Sequence, residues 1–375
     1  MQLRIPGPTP LPDEVLDAMH RPMISHREGE FRAMLFDITE HLKRSFQTEG
    51  DVLVFPGVGT GGMEAAIANL FSPGDRVICA SAGAFGDRFG EIASRFGLDI
   101  VYVRSRWGEA IDLSALEVSL EAMGKVAGVL LTHNETSTGV QHDIEAASRL
   151  VRGSGNPDAL VVVDAISSMG AVDIPVDRWE IDVAITASQK AWMAPPGLTM
   201  LSVSERAWAA TERATLPHYY WDFQAARRFA RRGETPYTPA VGLLFGLQAS
   251  LHMLAGEGLA RVFARHTELR DRVRQLARRA GLVPVASDEI ASRTVTALRV
   301  PEGMRARQVT ELMRERGVIV AGGQGALEDA IIRIGHMGFV SPGDIDVTML
   351  ALAQVTGELS MSDGRELVPS TAGAA

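Results

Sequence analysis

Two residues in this sequence could share one piece of chemistry. Lys190 lies in Thr186-Ala187-Ser188-Gln189-Lys190-Ala191-Trp192, just after the apolar run Ile181-Asp182-Val183-Ala184-Ile185. Asp164 closes a second apolar run, Leu160-Val161-Val162-Val163-Asp164. An amine can hold an aldehyde as a Schiff base, and a carboxylate can keep a pyridine nitrogen protonated so that the ring accepts electrons. Such a pair at the ends of two strands suits pyridoxal 5'-phosphate. Asp164 has a plainer alternative as a strand-end aspartate bonded to loop amides, although a carboxylate is costly to bury without a partner. Lys190 would need a depressed pKa to act as nucleophile and proton carrier, which burial and a cationic neighbour would supply. Most lysines after a strand are surface residues. Here the small polar residues before Lys190 and the turn Ala194-Pro195-Pro196-Gly197 after it favour a buried amine beside a rigid wall.

Four further segments could complete a site. Gly57-Val58-Gly59-Thr60-Gly61-Gly62 follows Val52-Leu53-Val54-Phe55 and opens a helix over Met63–Leu70. Its amides could cup a phosphate at the positive end of the helix, or the glycines could simply make a strand-to-helix turn. It is not a P-loop, since no Gly-Lys-Ser/Thr follows. Phe85, past another strand, could stack on a planar ring or belong to the core. The polar run His133-Asn134-Glu135-Thr136-Ser137-Thr138-Gly139 could orient a cofactor or substrate, or cap a helix. Arg333, in Ile331-Ile332-Arg333-Ile334-Gly335, could grip a carboxylate with two parallel hydrogen bonds or sit in a structural ion pair.

The elements that must position these residues alternate between short apolar runs and helical segments. Strands are predicted at 52–55, 76–80, 99–103, 126–132, 159–164, 181–186 and 199–203, which implies an α/β fold with a mainly parallel seven-stranded sheet. Ligands of such sheets bind beyond the carboxyl ends of the strands, where Asp164 and Lys190 fall. Phe31, Leu35, Ile38, Leu42 and Phe46 recur at helical spacing. Residues 1–25, rich in Pro and Gly, are expected to be extended. The excursion at 206–236, with His218-Tyr219-Tyr220-Trp221-Asp222, is expected to cover the site as a lid. One long helical stretch over 240–280 would lead into a smaller C-terminal α+β domain with strands at 294–300 and 331–335 and helices at 305–316 and 342–357. The expected division is an N-terminal segment 1–25, a large domain 26–240, a small domain 241–358 and a disordered tail 359–375.

Composition sets the class. The 375 residues are 46% hydrophobic and 22% charged, with a net charge of −9, which argues against nucleic-acid or anionic-membrane surfaces. The Arg-rich stretch 227–232 is local and reads as a solvated face. The single cysteine, Cys79, cannot form an internal disulfide and reads as a small core residue. No apolar run approaches the ~20 residues of a membrane span, and the N-terminus lacks the pattern of a signal peptide. A cytoplasmic enzyme without a metal is the expectation.

Taken together these segments resemble the class V aminotransferases, the fold-type I pyridoxal-phosphate enzymes that include alanine–glyoxylate and serine–glyoxylate (serine–pyruvate) aminotransferases. The likeness runs from Pro6-Gly7-Pro8-Thr9 to Arg333-Ile334-Gly335-His336-Met337-Gly338. It is most specific at His133–Gly139, at Asp164-Ala165-Ile166-Ser167-Ser168 and at Ser188-Gln189-Lys190 with Ala194–Gly197. It implies that Lys190 binds the cofactor covalently and then carries the proton, and that Asp164 pairs with the ring nitrogen. It also implies that Thr60, Gly61, Gly62, Ile166 and Gln189 help hold the cofactor, Phe85 stacks on its ring, and Thr136 contacts the ring oxygen. Arg333 would take the substrate carboxylate. Thr235 and Thr238 would reach the phosphate of a neighbouring subunit, which requires a homodimer with shared sites. The implied reaction transfers an amino group from a small amino acid to a small 2-oxo acid in ping-pong fashion. Pyridoxamine–pyruvate, ureidoglycine–glyoxylate and 2-aminoethylphosphonate–pyruvate aminotransferases are the alternatives. A cysteine desulfurase would need a reactive cysteine near the C-terminal domain, and Cys79 lies on an early strand.

Overall fold

A computed structural model of the chain describes residues 1–362, with side chains to residue 357. The central sheet contains β1 (Asp51–Gly57), β2 (Arg76–Ser81), β3 (Asp99–Arg104), β4 (Gly128–Thr132), β5 (Leu160–Asp164), β6 (Val183–Ala187) and β7 (Gly197–Val203). Their spatial order is β1-β7-β6-β5-β4-β2-β3, and within this sheet β7 alone runs against its neighbours. The fold is therefore α/β, with the mostly parallel sheet of a fold-type I enzyme.

The inner strands are apolar on both faces because helices cover both sides. In β5, Val161 and Val163 face one core while Leu160 and Val162 face the other. β4 divides in the same way, Val129 and Leu131 against Leu130, as the two-residue period of a strand dictates. The helix Gly29–Phe46 buries Phe31, Leu35, Ile38, Leu42 and Phe46 in one stripe, each contributing about 1.5–3 kcal/mol on transfer from water. Its Asp37 carboxylate accepts from Gln248 Nε2 and meets His252 Nε2, both at 2.7 Å, which ties it to the helix Val241–Glu257.

The C-terminal part builds a four-stranded antiparallel sheet in the order Val283–Pro284, Val295–Arg299, Ile331–Gly335, Ala321–Gly322. It has its own core, with Leu298, Ile332 and Ile334 packed against Val309, Met313, Ile345 and Leu352. The helices Ala306–Glu315 and Pro342–Ser362 cover it. Of the expected tail, residues 359–362 complete the last helix and residues 363–375 lie outside the described residues. No helix among the described residues is long and apolar enough to cross a membrane.

Three local expectations differ from the structure. The stretch 240–280 is two helices, Val241–Glu257 and Leu259–Arg279, broken at Gly258, whose φ of 83° interrupts the helical path. The segment 1–25 is not extended throughout. Asp13–Met19 is a helix that starts after Pro12 and carries Asp13 and Glu14 in its first turn, the residues that suit a positive helix end. Gln2–Leu3 is a strand paired in parallel with Val318–Ile319. Finally, the polar run 133–139 starts no helix of its own and instead supplies acceptors to the first turn of the helix Ala84–Arg95. It forms a small hairpin, Asn134–Glu135 against Val140–Gln141.

Candidate active site

The carboxyl ends of β1, β2, β4, β5 and β6 converge on one cleft. Thr60, Phe85, Thr136, Asp164, Ile166, Gln189 and Lys190 all line it. These seven residues stand at, or a few residues beyond, the ends of five strands, with Asp164 and Ile166 at the end of β5 and Gln189 and Lys190 after β6, so the sheet order alone brings distant residues together. Asp164 is the last residue of β5, and Lys190 follows β6, the strand beside it.

Asp164 is buried, and one carboxylate oxygen accepts from Ile166 N–H at 2.9 Å. Burial pushes its pKa up to about 7, against the Ile166 hydrogen bond, and the charge of Glu135 adds to the rise. Lys190 Nζ donates to the carbonyl of Pro6 at 2.7 Å. Burial lowers its pKa to about 8, Asp164 opposes the drop, and Arg333 and Arg88 reinforce it. Arg333 is also buried. Its Nε donates to Gly322 O at 2.8 Å and its Nη1 to Thr136 O at 3.2 Å. Desolvation lowers its pKa to about 10, against the pull of Glu135. Thr136 Oγ1 donates to Ser167 Oγ at 3.0 Å, so the polar run and the turn after β5 are bonded to each other.

The glycine turn is wound into the helix earlier than expected. The helix spans Gly59–Leu70, which puts Thr60, Gly61 and Gly62 in its first turn. Gly62 N–H already donates to Val58 O at 3.2 Å, while the amides of Thr60 and Gly61 are among the first-turn donors that a helix leaves without an internal acceptor. Thr235 and Thr238 are not in this cleft. They line a separate, largely apolar pocket with Pro56, Leu198 and Tyr220, and the Thr235 hydroxyl donates to Tyr237 O at 2.7 Å. The expected lid does not line the Lys190 cleft of its own chain. Trp221 lies on the outer side of the glycine turn, donating to Pro56 O at 3.1 Å, and Tyr220 stacks on Tyr237 with ring centroids 5.5 Å apart.

Several cleft residues carry no individual signal in the sequence, although Asn134 and Ser167 lie inside segments singled out there. Arg88 lines the cleft, with its guanidinium 4.7 Å above the Phe85 ring and Nη1 at 3.5 Å from Thr60 Oγ1. Asn134 and Ser167 line it too. The N-terminal segment closes one side. Gly7 has a φ of 129°, and a Cβ on it would lie 2.6 Å from Lys190 Nζ. The only sequence signal for these was position: Arg88 lies one helical turn after Phe85, and Asn134 lies inside the polar run.

Known proteins bear on this geometry. A model of the aminotransferase class-V family matches residues 3–340. A protein of Synechococcus sp. (strain PCC 6716) named soluble hydrogenase, small subunit, is 41% identical over 364 residues, covering 96% of this chain and 94% of that protein. An L-aspartate–glyoxylate aminotransferase of Paracoccus denitrificans is 40% identical over 366 residues, covering 96% of this chain and 90% of its own. The solved alanine–glyoxylate aminotransferase of Nostoc sp. superposes with a TM-score of 0.90 at 32% identity, over 94% of each chain. A family match across nine-tenths of the length, with the lysine–aspartate cleft inside it, shows that this chain belongs to the class V aminotransferases and is a transaminase.

Proposed function

We propose that the protein is a pyridoxal-phosphate-dependent enzyme that moves the amino group of a small amino acid, alanine or serine, to glyoxylate or pyruvate in a ping-pong cycle. The observation that carries this is the Lys190–Asp164 pair in one cleft, with pKa values of about 8 and about 7. Two buried oxygens of cleft residues, Gln189 Oε1 and Asn134 Oδ1, lack a hydrogen-bond partner among the described residues, which fits a polar ligand there. The cofactor, when bound, supplies an aldehyde for the amino group and a protonated ring that stabilises charge at the α-carbon.

The chain's own residues would do the rest. Asp164 keeps a proton on the ring nitrogen, because a cation beside it relieves the cost of its burial. Lys190, with its lowered pKa, is partly neutral near neutral pH and can take the substrate α-proton and return it. Phe85 would cover one ring face, and Ile166, which also lines the cleft, would help hold the cofactor. Thr60 and Gly61, whose amides have no acceptor inside the helix, would hold the phosphate at its positive end together with Gln189, backed by Gly62, and Thr136 would meet the ring oxygen. Arg333, braced by two backbone carbonyls, takes the α-carboxylate. Thr235 and Thr238 lie outside their own chain's cleft, which supports a homodimer in which each subunit lends them to the other's phosphate. A cytoplasmic location completes the proposal.

A small donor is favoured because Arg88, the one guanidinium among the residues that line the cleft, already sits over Phe85 with Nη1 3.5 Å from Thr60 Oγ1, and Arg333 stands behind that lining, which leaves little to hold a second carboxylate. The hydrogenase name of the Synechococcus protein finds no support in the thiols here. Iron–sulfur clusters are held by several thiolates, and Cys79 is the only cysteine, buried, with its pKa pushed up to about 12. The test is a half-reaction screen. The cofactor-loaded protein is mixed with single amino acids, and separately with pyridoxamine, while loss of the lysine-linked absorbance is followed. Rapid conversion by alanine or serine supports the proposal. Conversion by aspartate alone, or by pyridoxamine alone, overturns the choice of substrate.

A further inference from the structure

Glu135 is fully buried and, beyond the effect of its charge on Asp164 and Arg333, has no part in the chemistry above. Its Oε2 accepts from Phe85 N–H and Gly86 N–H, both at 3.1 Å. Its Oε1 accepts from Ser137 N–H at 3.1 Å and from the Ser137 hydroxyl at 2.5 Å. Ser137 Oγ in turn accepts from Ala84 N–H at 3.1 Å. Ala84, Phe85 and Gly86 open the helix Ala84–Arg95, whose own N-cap, Gly83, provides no side chain. The first amides of a helix have no internal acceptors, and its positive end favours an anion. Here the acceptors come from the hairpin after β4, about fifty residues away in the chain. Gly83 is what lets them approach, since a Cβ there would lie 2.5 Å from Glu135 Cδ and 2.6 Å from Ser137 Oγ.

This arrangement reaches the cleft through the helix it caps. The first turn carries Phe85, and Arg88 follows at the start of the next; both line the cleft, with the guanidinium over the ring. Glu135 itself is not among the lining residues. We propose, resting on the assignment of Phe85 as the ring-stacking residue, that Glu135 is a positioning residue for the cofactor: from behind the cleft it locks the helical turn that fixes the plane of the Phe85 ring. A carboxylate suits this place because four N–H and O–H donors converge on its two oxygens. A carboxamide can accept on only one side, so Glu135→Gln must leave either the helix amides or Ser137 without an acceptor.

The test titrates pyridoxal phosphate into wild type and Glu135→Gln, and records the visible circular dichroism of the bound cofactor and the melting of the cofactor-free protein. We expect a dissociation constant raised by about tenfold or more and an altered dichroic band, with melting still cooperative. Phe85→Leu should change the band in the same way. The double variant should bind no more weakly than Phe85→Leu alone, because coupled residues are not additive. Additive losses overturn the proposal, and so does a lower melting temperature with unchanged affinity and dichroism, the signature of a merely structural cap. If Glu135→Gln does not fold, Ser137→Ala removes the acceptor of Ala84 N–H and one of the four donors to Glu135, and leaves the acceptors of Phe85 and Gly86 in place. A smaller loss of affinity with the same dichroic change then supports the proposal, and no change overturns it. A wild type that fails to bind pyridoxal phosphate would refute the cofactor assignment itself. Normal wild-type binding with unaltered Glu135→Gln binding would refute the positioning role alone.

Discussion

Asparagine at position 164 separates what the carboxylate costs the cofactor-free fold from what it does for a bound cation. Burial raises the Asp164 pKa from 3.8 to about 7. At about 1.4 kcal/mol per pH unit, that gap corresponds to roughly 4 kcal/mol once the group is ionised in both folded and unfolded states. Because the folded pKa is the higher one, the folded state binds the proton more tightly. The contribution is fully present below about pH 4 and is lost as the pH rises through about 7. Asparagine stays neutral and can still accept from Ile166 N–H, but it gives up the attraction to Lys190. Cofactor-free Asp164→Asn should therefore gain on wild type as the pH rises, melting only slightly above it at about pH 5 and at least about 2 °C further above it at about pH 8.5. Excess pyridoxal phosphate should reverse that order, since a ligand stabilises in proportion to its affinity and the variant has lost the partner of the ring nitrogen. Calorimetry at both pH values, with and without cofactor, reads all four states. A variant destabilised equally at both pH values without cofactor would refute the reasoning.

Other substitutions probe the supports of the site. Gly7→Ala would place a methyl group 2.6 Å from Lys190 Nζ at a φ of 129°. Misplacing that amine should cost about 10²-fold in kcat, and steady-state kinetics that match wild type would deny the N-terminal segment its place beside the lysine. Arg333→Lys keeps the charge but loses the planar fork, so the KM for both substrates should rise about tenfold or more with a smaller change in kcat. Equal KM values would remove Arg333 from carboxylate binding. Asp182 is fully buried and accepts from Arg152 Nη2, Arg206 Nε, the Ser204 hydroxyl and Val161 N–H. Asp182→Ala leaves Arg152 with only the half-exposed Glu180 carboxylate at 3.9 Å and should cost about 3–5 kcal/mol in denaturant unfolding. A loss below about 1 kcal/mol would show that the cluster is worth no more than a surface pair.

The seven strands of the sheet were legible because each is a short β-branched or apolar run, the first five set apart by helices and the last two by turns, and strand ends are where ligands of such sheets bind. Lys190 and Asp164 followed from that rule together with their residue types. Long-range contacts left no local trace. Nothing near Pro6 or Gly7 announces a contact with a lysine more than 180 residues away, and nothing near Glu135 announces that it caps the helix bearing Phe85. The break at Gly258 was missed because the helical periodicity continues through it and no proline marks it. The helix Asp13–Met19 was missed because the prolines around it outweighed the acidic first turn that signals its start. Thr235 and Thr238 were singled out by resemblance, and only the fold separates them from their own chain's cleft. Trp221, expected in a lid, instead packs on the outside of the glycine turn, where Gly61 has room for it.

The central claim is that Lys190 is the residue that binds pyridoxal phosphate covalently. Borohydride reduction of the protein in the presence of pyridoxal phosphate, followed by digestion and mass spectrometry, tests it most directly. The account predicts one stoichiometric adduct on the peptide that contains Lys190, and neither adduct nor transamination in Lys190→Ala. Labelling of another lysine in preference, or transamination retained by Lys190→Ala, would contradict it.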